Sequence, residues 1–221
     1  MLSSEIQVTL GGRYIVKEVY PFSFEELLKY NNIPYTVNDM FVTQKRAAIN
    51  NKFADYFFNG GFSESFTVPY KRDYLNGIYQ KIFLGDIVAR YNITNIHTLN
   101  VVIRNLAESI KQLLSFNRII NIVNSTGTKF SVNSAITYME YIENSWQILP
   151  VCNIAGKITE KTTNKKYYFT DNGILHLFLT DANTSLLENI VAVNLIKKHG
   201  KKDNVYFYNK DIEVDFYVFD K

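Results

Sequence analysis

Between residues 115 and 170 the apolar positions change period twice. Behind Ser115, a residue suited to capping a helix, Ile119, Ile120 and Val123 recur at helical spacing. Ser125-Thr126-Gly127-Thr128 then interrupts with turn residues, and Gly127 can supply a backbone position with φ > 0. Behind Ser131, Val132, Ala135, Ile136, Met139, Ile142 and Trp146 recur at three- and four-residue steps, which predicts a second helix. Two β-prone runs follow, 148–154 and 166–170, with a polar Lys/Thr-rich tip at 156–165 between them. That pattern predicts a hairpin. Helix, turn, helix, hairpin is the order of a winged helix-turn-helix.

The flanking chain is patterned too. Residues 14–20 read as a β-strand ended by Pro21. Ser23 then caps a helix, with Glu26 three residues on completing a capping box. A lone strand cannot bury both faces, so this one is expected to belong to a larger sheet, and the chain to begin inside a domain. Residues 39–91 are mostly helical in pattern: Ala47, Ala48, Phe53 and Phe57 lead to a stop at Gly60-Gly61. Further on, Ile78, Ile82 and Phe83 share one side, with Lys81 and Arg90 outside. Thr98 is the expected cap of a longer helix bearing Leu99, Val102, Ile103, Leu106, Ile110 and Leu113. Thr184 or Ser185 is expected to cap another, carrying Leu186, Ile190, Val193 and Ile196 and stopped by Gly200. Runs 205–208 and 212–218 predict a hairpin around Asn209-Lys210-Asp211.

Composition narrows the function. A chain of 221 residues holds one large domain or two small ones, and its 16 Tyr and 16 Phe serve chiefly as core. A net charge of +3 is too small to establish a nucleic-acid partner; the placement of Lys and Arg matters more. The single Cys152 excludes an intramolecular disulfide and a multi-Cys zinc site, and His97, His176 and His199 lack ligand spacing. No stretch reaches membrane-spanning length and no signal peptide is visible, so a cytoplasmic protein with no membrane partner is expected.

An ordered series of short strings then points further. It runs through Leu10-Gly11-Gly12-Arg13-Tyr14, Tyr20-Pro21-Phe22-Ser23-Phe24-Glu25-Glu26, Asn59-Gly60-Gly61-Phe62 and Tyr74-Leu75-Asn76-Gly77-Ile78-Tyr79. It continues through Asp86-Ile87-Val88-Ala89-Arg90-Tyr91, Tyr168-Phe169-Thr170-Asp171-Asn172-Gly173, Leu187-Glu188-Asn189 and Glu213-Val214-Asp215-Phe216. In these strings the chain resembles prokaryotic AAA+-type ATPases that carry a winged helix and a C-terminal domain similar to restriction endonucleases. The resemblance implies an α+β, mainly α architecture. Residues 1–36 would be the end of the ATPase core, 37–114 a helical linker or lid, 115–180 the winged helix, and 181–221 the start of a nuclease-like α/β element. It also implies that Arg13 senses nucleotide. The sequence has no Gly-x-x-x-x-Gly-Lys-Ser/Thr run to cradle phosphates. The ATPase core is therefore expected to be missing here, with ATP and Mg²⁺ belonging to the full-length family and no cofactor to this chain.

Two sets of side chains carry candidate chemistry. Lys157, Lys161, Lys165 and Lys166 in the hairpin, with Arg118 and Lys129, could neutralise DNA phosphates, while Asn133, Ser134 and Thr137 suit base edges. Glu140 and Glu143 on the second helix oppose that contact. In the nuclease-like element Glu188 and Asp215 are the candidate catalytic residues and metal ligands, and alternation puts Glu213 on the face of Asp215. The Glu-x-Lys of the family is expected beyond Lys221; Asn194 stands where the family often has a second Glu, and Lys210 is poorly placed as a substitute. The expectation is thus a regulatory or targeting portion of an ATPase, non-catalytic alone and associated with DNA through the wing. The alternatives are a nuclease-like DNA-processing enzyme and a stand-alone winged-helix DNA-binding protein. An unpaired apolar strand at 212–218 would favour self-association into an oligomer.

Overall fold

A computed structural model of the protein describes residues 13, 15, 17–33, 35–157, 164–199 and 204–219. Among them the helices are α1 (Phe24–Tyr30), α2 (Thr43–Asn59), α3 (Lys71–Lys81), α4 (Ile96–Glu108), α5 (Phe116–Ser125), α6 (Val132–Asn144), α7 (Asn172–His176) and α8 (Asn183–His199). The strands are β1 (Ile148–Asn153), β2 (Lys165–Phe169), β3 (Val205–Asn209) and β4 (Glu213–Val218). Short 3₁₀ turns occupy Val37–Phe41 and Ser63–Phe66, and α3 continues into a π-helical stretch, Ile82–Ala89. The architecture is α+β and mainly helical, with one small mixed sheet.

Helix starts follow local hydrogen bonding. Ser23 Oγ accepts from Glu26 N (3.3 Å) while Glu26 Oε2 accepts from Ser23 N (2.8 Å), the reciprocal box the sequence predicts. Ser115 Oγ accepts from Arg118 N at 3.3 Å and Ser131 Oγ from Ser134 N at 3.1 Å, so both expected caps are in place. Two starts differ from expectation. Asn95, not Thr98, caps α4, because its Oδ1 reaches Thr98 N at 2.9 Å; Thr98 lies buried in the first turn. Helix α8 begins at Asn183, since Leu186 N already donates to Ala182 O at 2.8 Å, and Ser185 is buried within it. Its expected stop at Gly200 lies outside the described residues.

The expected strand at 14–20 does not form at its described positions. Residues 17–20 carry no regular structure, and Ile15 and Val19 are 96% and 86% exposed. A strand needs a neighbour to take its backbone hydrogen bonds, and none of β1 to β4 lies beside this run.

The sheet order is β2-β1-β3-β4. β1 and β2 pair antiparallel from Ile148↔Phe169 to Cys152↔Lys165. β1 and β3 run parallel through Cys152↔Tyr206 and Asn153↔Phe207. β3 and β4 form the second antiparallel hairpin, with a register shift between Tyr206 and Tyr208. Pro150 is tolerated inside β1 because β3 pairs only beyond it, so its missing N–H breaks no ladder there. At the outer edge, Asn189 of α8 replaces a strand: its Oδ1 accepts from Phe169 N (2.7 Å) and its Nδ2 donates to Phe169 O (2.9 Å).

One apolar cluster runs from Leu75 on α3 through Leu99, Ile119, Ile142 and Leu149 to Phe207 on β3. The domain boundaries expected at 114/115 and 180/181 fall inside it, between Leu114 and Ile119 and between Leu175 and Ala182. A smaller cluster of Leu27, Tyr56 and Ile190 joins α1, α2 and α8.

Candidate functional site

Alternation along β2 puts Lys166 and Tyr168 on one face, and alternation along β4 does the same for Glu213 and Asp215. Those two faces meet Glu188 of α8. Lys166, only 1% exposed, reaches across the sheet over the Phe207 ring of β3, with Nζ 5.6 Å from the ring centroid. Its Nζ donates to Asp215 Oδ1 at 2.9 Å and lies 3.4 Å from Glu213 Oε1 and 3.8 Å from Glu188 Oε1. Tyr168 Oη donates to Glu188 Oε1 at 2.9 Å and so holds that carboxylate in place. Glu188 is nearly covered, whereas the Glu213 and Asp215 side chains are 58% and 57% exposed. The result is a cage of three carboxylates around one buried ammonium, open to water along β4.

The electrostatics are mutually reinforcing. Burial by itself would lower the Lys166 ammonium, but the hydrogen bond to Asp215 and the charges of Glu188 and Asp215 hold it above its ordinary value. Burial raises the Glu188 carboxyl, opposed by the Tyr168 hydrogen bond and the charge of Lys166. Burial and the neighbouring Glu188 push the Tyr168 hydroxyl up, so it stays protonated and donating. Lys166 therefore remains a cation throughout the neutral range. Buried charge is tolerated here because each partner is both paired and hydrogen-bonded.

A second polar centre lies where α2, α7 and α8 meet. Buried Asp171 caps α7, with Oδ1 accepting from Gly173 N (2.8 Å) and Ile174 N (3.3 Å). Its Oδ2 accepts from Gly61 N at 2.7 Å. Gly60 permits this approach in two ways: its φ of +72° and ψ of −161° suit only glycine, and a Cβ there would overlap the Asp171 carboxylate. Asn172 Nδ2 donates to Phe57 O (3.0 Å) and Leu186 O (3.1 Å), and its Oδ1 accepts from Asn189 Nδ2 (2.9 Å). Three of the strings that carry the family resemblance thus converge, at Gly60-Gly61, Asp171-Asn172-Gly173 and Asn189. The centre is structural: every polar atom just named has a protein partner.

The residues singled out from sequence do not gather at one place. Arg118, Lys129 and Asn133 are exposed on α5, the turn and α6, and Thr137 is half-buried. Lys129 lines an open groove of about 390 Å³ with Phe130, Ser131 and Ser134. Lys161 lies outside the described residues. Lys166 does not present its ammonium group to a phosphate. Lys165 is drawn to Glu143 of α6, 3.7 Å away, and strand alternation turns Lys166 inward to the cage. Arg13 is exposed and carries no regular structure. Glu188 and Asp215 do come together, but Lys166 sits between them. Among the described residues no set of three or more His, Cys, Asp or Glu side chains is arranged to hold a metal ion.

Sequence reasoning missed Lys166 as the partner of Glu188 and Asp215, and Asp171, Asn172 and Asn189 as a network. A lysine placed two residues before a tyrosine inside a strand was the available signal for the first. For the second, nothing local distinguishes Asn189 from any helical asparagine.

Fold and site define a mainly helical α+β protein whose mixed sheet carries a caged lysine. The chain belongs to the family described as Domain of unknown function (DUF8612), whose model matches residues 50–185. It is 30% identical over 220 residues to an uncharacterized protein of Haemophilus influenzae, covering 96% of this chain and 52% of that protein. It is 27% identical over 224 residues to an uncharacterized protein of Methanocaldococcus jannaschii, covering 99% of this chain and 50% of that protein. The chain spans about half the length of these curated relatives. No solved structure matches it. No helix among the described residues is long and apolar enough to cross a membrane.

Proposed function

We propose that the chain is the regulatory and targeting portion of a prokaryotic AAA+-type ATPase and performs no catalysis alone. The observation that carries this reading is the uncovered N-terminal run. Ile15 and Val19, two of its β-prone residues, stand almost fully in water, with no strand beside them among the described residues. Tyr35, Val37, Phe41 and Val42 around the first 3₁₀ turn are exposed as well. Apolar side chains left uncovered in such number mark a surface that another domain buries, and a β-prone run is suited to join that domain's sheet. The greater length of the relatives leaves room for such a domain. Tyr20 ends the run packed edge-on against Trp146, ring centroids 6.5 Å apart, which gives a direct mechanical link to the α6–β1 junction.

In this reading the order α5, turn, α6, β1, β2 works as a winged helix. Its DNA contact falls to Arg118, Lys129, Asn133 and Thr137, because Lys165 and Lys166 are engaged internally. ATP and Mg²⁺ would bind the ATPase core, with Arg13 facing the nucleotide. The test is the genomic reading frame around residue 1, followed by assay of the encoded full-length protein. A phosphate-loop strand in frame upstream, and ATP hydrolysis changed severalfold by Val19→Asp, are the expected results. A frame with no such strand upstream ends the proposal.

A further inference from the structure

Lys166 lies where a cation shared by Glu188, Glu213 and Asp215 would lie. Its Nζ is 2.9 to 3.8 Å from one oxygen of each carboxylate. Carboxylates ligate Mg²⁺ at about 2.0–2.1 Å; the ammonium therefore fills the same space with a looser shell. Its side chain is buried, and its Nζ lies over the Phe207 ring. We propose that Lys166 is the permanent cation of this cage, so that the three carboxylates form a structural tie between the two hairpins and take up no divalent metal.

Two observations and one electrostatic argument support this independently of the coupling proposed above. The ladder joining the two hairpins is short, only Cys152↔Tyr206 and Asn153↔Phe207, so a second tie between β2 and β4 has mechanical purpose. Tyr168 donates its proton to Glu188, using an oxygen that a metal would otherwise claim. Bringing a divalent ion beside an ammonium already hydrogen-bonded to Asp215 adds like-charge repulsion. Substituting an uncharged side chain removes that repulsion and leaves three carboxylates without their shared cation, two of them on the open side of β4 where they are free to draw in around another.

The experiment compares wild type with Lys166→Gln in the presence and absence of Mn²⁺, using thermal unfolding by circular dichroism and direct Mn²⁺ binding by electron paramagnetic resonance. Wild type is expected to show neither uptake nor a shifted midpoint at submillimolar Mn²⁺. Lys166→Gln is expected to bind Mn²⁺ at least about tenfold more tightly than wild type and to gain stability with it. If Lys166→Gln is unfolded alone, Mn²⁺ must restore its fold. Uptake by wild type that Asp215→Asn abolishes overturns the proposal. So does a Lys166→Gln protein that neither binds Mn²⁺ nor is refolded by it.

Discussion

Asp171 shows how one side chain can set a pH dependence. Burial pushes its carboxyl up to about 6, against three backbone N–H groups that favour the anion. The folded value thus exceeds the unfolded one, and the native state holds the proton more tightly. The stabilisation from this group is complete below about pH 4 and fades as pH rises through about 6. Asp171→Asn removes this titration and turns an amide donor toward N–H groups, at a cost of about 1–3 kcal/mol. Urea midpoints of both proteins from pH 4 to 7 test the idea; equal slopes across that range would sink it. At this scale the sequence was partly legible. The strings around Gly60 and Asp171 were recognisable, yet their meeting depends on residues 110 positions apart. Lys166 was legible as a lysine in a strand but not as a buried one, because its partners come from α8 and β4.

Elements announced themselves where a local hydrogen bond decides the outcome. Ser23, Ser115 and Ser131 were readable as caps because each satisfies N–H groups within three residues. Ser131→Ala should therefore cost about 1 kcal/mol, and Ser131→Asp much less. Chemical denaturation of the two variants checks this, and equal losses would show that packing, not capping, starts α6. At its described positions the run 14–20 failed as a strand for the opposite reason: its propensity is local but its hydrogen-bond partners must come from elsewhere. The π-helical turn at Ile82–Ala89 carried no local signal. It buries Phe83 and Ile87 together against the core, and that demand is tertiary.

Across the whole molecule the deciding feature is the continuity of the core. The apolar cluster links α3 to β3 without a break, so the linker, helix–helix–hairpin and C-terminal regions should unfold as one unit. Phe207 is the residue to probe. It is fully buried, sits on the last-but-one strand, pairs with Asn153 of β1 and lies under Lys166. Phe207→Leu should cost about 1–2 kcal/mol, since a leucine fills most but not all of the space of the ring. Trp146 is the sole tryptophan and lies at the α6–β1 junction, 61 residues earlier in the chain, so its fluorescence reports on a region distant from the C-terminal hairpin. If the core is continuous, Phe207→Leu lowers the urea midpoint seen by Trp146 fluorescence and by far-ultraviolet circular dichroism by the same amount. A variant whose circular dichroism transition moves while the Trp146 transition stays fixed would mean that the C-terminal hairpin unfolds alone, and the Lys166 cage would then be its main attachment.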